Sequence, residues 1–202
     1  MSAPVSLTGR QLWAGVRAML VATVVLGLLY PLLVTGLAQV IAPGRADGSL
    51  IHQNGQVVGS SLIGQVFVDG AGNPLPQYFQ ARPSASNYDG KASGGSNLGP
   101  NSPELADLIQ QRRTAVAAFN SVPAADVPAD AVTASASGLD PGISPAYAAI
   151  QVDRVAAVRH VAPSEVQRLV AAATHGRDLG FIGAPYVNVL ELNLALDVSS
   201  GP

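Results

Sequence analysis

The chain has 202 residues, of which 48% are hydrophobic and only 12% charged, with a formal net charge of −2. That length fits one domain plus a small appendage, and that charge excludes a generally basic nucleic-acid binder. Cysteine is absent, which excludes disulfides and thiolate metal sites.

The first element in chain order is an apolar run. Residues 18–42 carry no charge and are interrupted only by Thr23, Thr35 and Gln39. This exceeds the ~20 residues a helix needs to cross a bilayer core. Pro31 in mid-span is expected to kink such a helix without breaking it. A cleaved signal peptide has a shorter apolar region of roughly 7–15 residues and a small-x-small cleavage site. Here the run is too long, and Pro43 follows Ala42. Arg10 and Arg17 precede the run, and all thirteen acidic residues follow it. The positive-inside rule therefore assigns 1–17 to the cytoplasm, 18–42 to a transmembrane helix and 43–202 to an extracytoplasmic domain. Ala14, Ala18 and Ala22 recur every fourth residue. Small residues at that spacing let another helix approach closely, although an alanine-rich chain also makes such runs by chance.

Beyond the span, residues 43–55 read as a polar exit loop. Residues 56–69 read as extended, with Gly59 and Gly64 suggesting two short strands or a bulge. Residues 71–103 are rich in Gly, Pro, Ser and Asn, without a period. Such a long loop is expected to be functional, and Tyr78, Phe79 and Tyr88 give it apolar weight suited to partner docking. Asn101 or Ser102 caps a helix whose first turn holds Pro103 and Glu104. Residues 122–128 stop it, and 131–135 are expected to form a short strand. A second helix is expected from Ser144-Pro145 to about His160, and a third from Pro163 to Thr174. Leu190, Leu192, Leu194 and Leu196 alternate with Glu191, Asn193, Ala195 and Asp197, which predicts a half-buried strand. The fold class is α+β, with one N-terminal transmembrane helix followed by a single mixed helix/sheet domain.

Catalytic patterns are missing. The sequence has no G-x-S-x-G elbow and no phosphate loop of the G-x-x-x-x-G-K-[ST] type. His52, His160 and His175 form no H-x-x-x-H pair, so no catalytic residue and no metal ligand is assigned. His160 and His175 fall near helix ends, where a positive side chain suits the dipole. Arg112-Arg113 reads as a solvated helix face. The most unusual segment holds Lys91, Ser93, Gly94, Gly95, Ser96 and Asn97. Its paired glycines are expected at positive φ. Such a run is either a tight turn or an anion-binding nest of backbone N–H groups, and it serves here as a candidate nucleotide-binding or partner-docking loop. An anchored enzyme using Ser93 or Ser96 as nucleophile, or a solute-binding module, are the alternatives.

Several motifs recur in a fixed order behind the span. They are Ser61-Leu62-Ile63-Gly64-Gln65, Arg82-Pro83-Ser84, Ala92-Ser93-Gly94-Gly95-Ser96-Asn97-Leu98-Gly99-Pro100, Val127-Pro128-Ala129-Asp130, Ser135-Ala136-Ser137-Gly138-Leu139-Asp140-Pro141, Ile143-Ser144-Pro145, and the run from Val187 to Asp197. Together they resemble the C subunit of the Kdp-type potassium-transporting P-type ATPase. Gly142 stands where that family often has histidine, and Tyr186 where it often has arginine. Asn101-Ser102 reverses the usual order before Pro103. The resemblance implies a non-catalytic accessory subunit of a bacterial high-affinity potassium uptake complex in the inner membrane. Its implied partners are a channel-like potassium-binding subunit, an ATP-hydrolysing P-type subunit and a small peptide subunit. ATP and potassium would be handled by the complex. The family role is described as assembly, and as a catalytic chaperone that raises the ATP affinity of the hydrolysing subunit. The Ser-Gly-Gly core is also similar to nucleotide-transporter signature motifs, across unrelated folds.

Overall fold

The N-terminal apolar run is helical from Leu7 to Ile41, as α1 (Leu7–Val24), one widened π turn (Val25–Leu29) and α2 (Tyr30–Ile41). A computed structural model describes residues 7–199, which divide into two compact units between Leu50 and Ile51. In the first unit the π turn has a local cause. Pro31 has no N–H, and in a regular helix its ring would press on the carbonyl of Gly27. The turn just before it opens instead, and the Tyr30 N–H reaches back five residues to the Val25 carbonyl. The stretch Gly9–Ile41 is long and apolar enough to cross a membrane, and none of its most apolar window is buried within the chain. The helix thus begins well before residue 18 and carries Arg10 and Arg17 on its own first turns. The expected exit loop is partly ordered. Pro43–Ala46 forms α3, and Gln39 donates to Asp47 Oδ1 across it at 2.7 Å.

A hairpin follows at the boundary, β1 (Leu50–Gln53) and β2 (Gln56–Ser60), with all but Leu50 in the second unit. Asn54 and Gly55 both have positive φ, at 51° and 78°, which is the tight turn that Asn-Gly favours. From 61 to 102 there is no helix or ladder beyond an isolated bridge between Val68 and Pro74. Then α4 (Pro103–Asn120) starts where expected, with Ser102 Oγ accepting from the Leu105 N–H, and ends on left-handed Ser121.

The expected strand at 131–135 is a 3₁₀ turn (Ala129–Ala131) followed by coil. The backbone there is satisfied by side chains and by one loop rather than by a strand. Arg112 donates to the Val132 carbonyl, Arg82 to that of Thr133, and the Ser135 N–H bonds Pro83 O. After β3 (Gly142–Ile143), the expected helix from 144 to 160 is two helices, α5 (Pro145–Ala149) and α6 (Val152–Arg159). The break lies at Ile150 and Gln151 and leaves the Gln151 side chain fully buried. α7 (Pro163–Ala172) follows as expected. It leads into β4 (Thr174–His175), β5 (Tyr186–Asn188) and α8 (Val189–Ser199).

The strand expected over 190–197 is therefore a helix. Leu, Glu and Ala favour helix, and no β-branched residue lies between Leu190 and Asp197. Val189, Leu192, Asn193 and Leu196 are buried, which is an i, i+3, i+4, i+7 stripe hidden inside the period-two pattern. Asn188 Oδ1 accepts the Glu191 N–H and starts the helix. The ladder is confined to β5, the centre of an antiparallel sheet in the order β3-β5-β4. Its register pairs Ile143 with Val187 and Thr174 with Val187. Ile143, Val155, Val166, Val187, Leu192 and Leu196 form the core between this sheet and the helices. The domain is mixed helix and sheet, in agreement with the α+β reading.

Candidate functional site

Residues 76–80 run across the surface without a strand partner, yet side chains hold almost every backbone group. Asn193 on α8 accepts the Phe79 N–H at 2.9 Å and donates to the Phe79 carbonyl at 3.0 Å. Gln151 does the same for Gln80, at 2.8 Å and 3.1 Å. Arg154 on α6 donates to the carbonyls of Pro76 and Tyr78, and Arg159 to that of Gln77. Two carboxamides thus imitate a strand edge, and two guanidinium groups finish it. Burial pushes Arg154 down to about 10, still far above neutral pH. Its charge is further supported by Asn120 Oδ1, by Gln151 Oε1 and by the Phe119 ring, 4.3 Å from its Cζ.

Of the three aromatic residues expected to suit partner docking if partly exposed, burial removes Phe79, and Tyr78 and Tyr88 are half-buried. Phe79 is 0% exposed. Tyr88 donates its hydroxyl to Arg82 O, and burial, with the nearby Asp140 carboxylate, pushes its phenol up to about 12. Tyr78 donates to Asp197 and packs against Phe67 and Arg159. All three bind the loop to its own domain.

The dispersed motifs meet in a second cluster. The Gly64 N–H bonds Leu139 O, Arg82 pairs with Asp140 at 2.9 Å, and Ser84 Oγ donates to Gly138 O. Asn188 Nδ2 donates to Ser61 O, and Asp130 accepts both the N–H and the hydroxyl of Ser144. Arg82, Ser135, Leu139 and Asp140 line an open cleft of about 760 Å³. Gly64 is required by close approach: a Cβ there would lie 2.3 Å from Tyr88 Cε1 and 2.7 Å from Asp140 O.

The run from Lys91 to Asn97 borders this cluster, and its paired glycines do not take the expected positive φ. The Gly94 N–H donates to Ser137 O, and so does Ser93 Oγ. Positive φ falls on Asn97, at 55°, and not on Gly94 or Gly95. Gly95 packs closely, since a Cβ would sit 3.0 Å from Ala136 O. Lys91, Ser93, Gly94, Ser96 and Asn97 are exposed.

The remaining singled-out residues lie apart. Ala14, Ala18 and Ala22 are exposed along α1. Arg112 and Arg113 are half-buried rather than solvated, and Arg113 Nε is buried without a partner. His160 caps α6 in the left-handed conformation, and His52 lines an apolar groove with Leu169 and Leu194. His175 lies in β4, stacks on Tyr186 at 4.9 Å between ring centroids and bonds Glu191 at 2.8 Å. Tyr186 in turn covers Gly142, where a Cβ would lie 2.7 Å from Tyr186 Cδ2. The two departures noted at Gly142 and Tyr186 are therefore one contact: the large ring on β5 requires the missing side chain on β3.

Comparison with known proteins agrees with these motifs. A family model described as K+-transporting ATPase, c chain, matches residues 12–198. The potassium-transporting ATPase KdpC subunit of Beijerinckia indica is 53% identical over 177 residues, covering 87% of each chain. That of Kineococcus radiotolerans is 52% identical over 189 residues, covering 93% of each. That of Streptomyces coelicolor is 48% identical and covers 97% of this chain and 96% of its own. With a match across nearly the whole chain, the chain belongs to the KdpC family of potassium-transporting ATPase subunits.

Proposed function

We propose that this chain is a non-catalytic, membrane-anchored subunit that stabilises an ATP-driven potassium-uptake complex by binding its other subunits. The observation that carries the reading is where the buried polar side chains go. Among the described residues these are Asn120, Ser135, Gln151, Asn188 and Asn193. Each bonds groups of its own domain. Gln151, Asn188 and Asn193 hold the irregular 61–80 segment in a fixed surface shape, which suits a subunit that works through contact.

In this reading the span holds residues 43–202 outside the cytoplasm of the inner membrane, with Arg10 and Arg17 inside. The partners are the channel-like potassium-binding subunit, the ATP-hydrolysing subunit and the small peptide subunit. A domain on that side does not meet cytoplasmic ATP, so any rise in ATP affinity is transmitted through the partners. Because the chain has no cysteine, Ser199→Cys provides a single thiol. It is expected to react with a membrane-impermeant maleimide on intact spheroplasts; labelling only after lysis would reverse the orientation.

The function is tested on the purified complex. Ala18→Leu with Ala22→Leu is expected to lower the yield of intact complex without preventing membrane insertion, because bulk blocks close helix approach while lipid accepts it. Lys91→Ala with Ser96→Ala is expected to leave the half-saturating ATP concentration unchanged. An intact complex whose half-saturating ATP rises in the second variant, together with a photoreactive ATP analogue that labels the 91–97 loop of the unsubstituted complex, would show that the loop serves nucleotide binding instead.

A further inference from the structure

Asn54-Gly55 is the one asparagine–glycine pair in the sequence. It forms the tip of the β1–β2 hairpin, and both residues are exposed. Among the described residues, no hydrogen bond occupies the Asn54 carboxamide or the Gly55 N–H. Nothing lies within 4 Å of the place a Cβ on Gly55 would take. An electrophilic side-chain carbon and the next backbone nitrogen are thus both free, with open space around them. Other asparagines lack one of these conditions. Asn73 bonds Asp69 through its carboxamide and is followed by Pro74, which has no N–H. After Asn87 the Tyr88 N–H is held by Ser84 Oγ, and after Asn188 the Val189 N–H is held by Pro141 O. Asn97 comes nearest, since it is exposed and has φ of 55°, against 51° for Asn54. It is followed by Leu98, whose branched side chain crowds the backbone nitrogen that Gly55 leaves bare.

We propose that Asn54-Gly55 is a site of spontaneous covalent modification, at which the hairpin tip deamidates through a cyclic imide. The Gly55 nitrogen gives its proton to hydroxide and attacks Asn54 Cγ. The N–Cγ bond forms, the Cγ–Nδ2 bond breaks, and Nδ2 takes a proton from water and leaves as ammonia. The five-membered imide then adds one water. Opening at Cγ gives aspartate. Opening at the Asn54 carbonyl carbon gives isoaspartate, in which the main chain runs through Cγ. No oxidant, cofactor or second protein takes part. Ring closure needs the turn to open, and β1 and β2 pair only with each other; a ribbon of two strands opens locally at low cost. Each event adds a negative charge to the tip. Isoaspartate also lengthens the backbone of a two-residue turn, and turn length fixes the register of the strands it joins. The modified hairpin is therefore looser than the original.

The test uses the full chain in detergent. It is incubated at mildly alkaline pH in water enriched in a heavy oxygen isotope, sampled over time, digested and read by mass spectrometry. The expected product is an acidic form of the peptide that spans Asn54 and Gly55, carrying one heavy oxygen from solvent and consisting mainly of isoaspartate. It is expected to accumulate at least several-fold faster than the acidic form of the Asn97 peptide in the same digest, at a rate proportional to hydroxide. In parallel, Asn54→Gln, which would have to close a six-membered ring, is expected to slow formation of the acid at this position at least several-fold. Equal rates at Asn54 and Asn97 overturn the inference. So does aspartate formed without isoaspartate, which would mean direct hydrolysis of the side chain, and so does an undiminished rate in the glutamine variant.

Discussion

Asn193→Leu is expected to destabilise the domain by roughly 2–6 kcal/mol, because it strands two buried backbone groups whose loss costs about 1–3 kcal/mol each. Leucine keeps the branching of asparagine but replaces the carboxamide oxygen and nitrogen with bulkier methyl groups, so overpacking adds to the polar loss. The Phe79 N–H and carbonyl have Asn193 as their partner, and both Asn193 and Phe79 are 0% exposed. With domain stabilities of about 5–15 kcal/mol, this is a large share of the total. Urea unfolding of the full chain in detergent, followed by circular dichroism, measures it. Val198→Ala on the same helix is the control, since Val198 is 74% exposed. Equal midpoints for the two variants would mean that the carboxamide clasp does not hold the 76–80 segment.

Gly138→Ala is expected to cost roughly 2–4 kcal/mol, from a disfavoured backbone conformation together with overpacking. Gly138 has φ of +70°, and an added Cβ would meet Ser86 Oγ at 2.4 Å and the Gly94 carbonyl at 2.7 Å. Only the serine can swing away; the carbonyl belongs to the backbone of the 93–95 run. Gly94→Ala, one contact away, has nothing within 4 Å of its Cβ and no positive φ, so its effect is expected within about 0.5 kcal/mol. Thermal unfolding of the two variants side by side checks the contrast. A Gly94→Ala variant as unstable as Gly138→Ala would show that the turn, rather than the contact, sets the glycine requirement in this cluster.

The candidate site was legible in the sequence only in part. Its motifs could be read in order, and Ser102, Pro103 and Glu104 announced α4 through local capping chemistry. The Asn54-Gly55 pair is itself a local hairpin signal, although residues 43–55 read as an exit loop. The roles of Asn193, Gln151, Arg154 and Arg159 carried no local signal. Each acts on a segment more than seventy residues away in the chain, and a carboxamide that will clasp a backbone looks like any other in a helix. Separation along the chain likewise hid the contact between Gly142 and Tyr186.

By itself, the sequence determined the features whose physics is local: an uncharged apolar helix too long for a small core, its charge asymmetry, the helix starts at Ser102, Ser144 and Pro163, and the family. The tertiary structure alone decided whether alternating leucines at 190–196 would form a strand or a helix. Both patterns bury leucine. The choice fell to helix because burial of Val189, Leu192, Asn193 and Leu196 against the core requires one helical face, and because β5 already supplies the central strand between β3 and β4. It also decided that Phe79 and Tyr88 anchor the long loop inward while Leu179 and Phe181 face out. Residue type sets the value of burying a side chain, but only the assembled fold sets which side chains have a neighbour to be buried against.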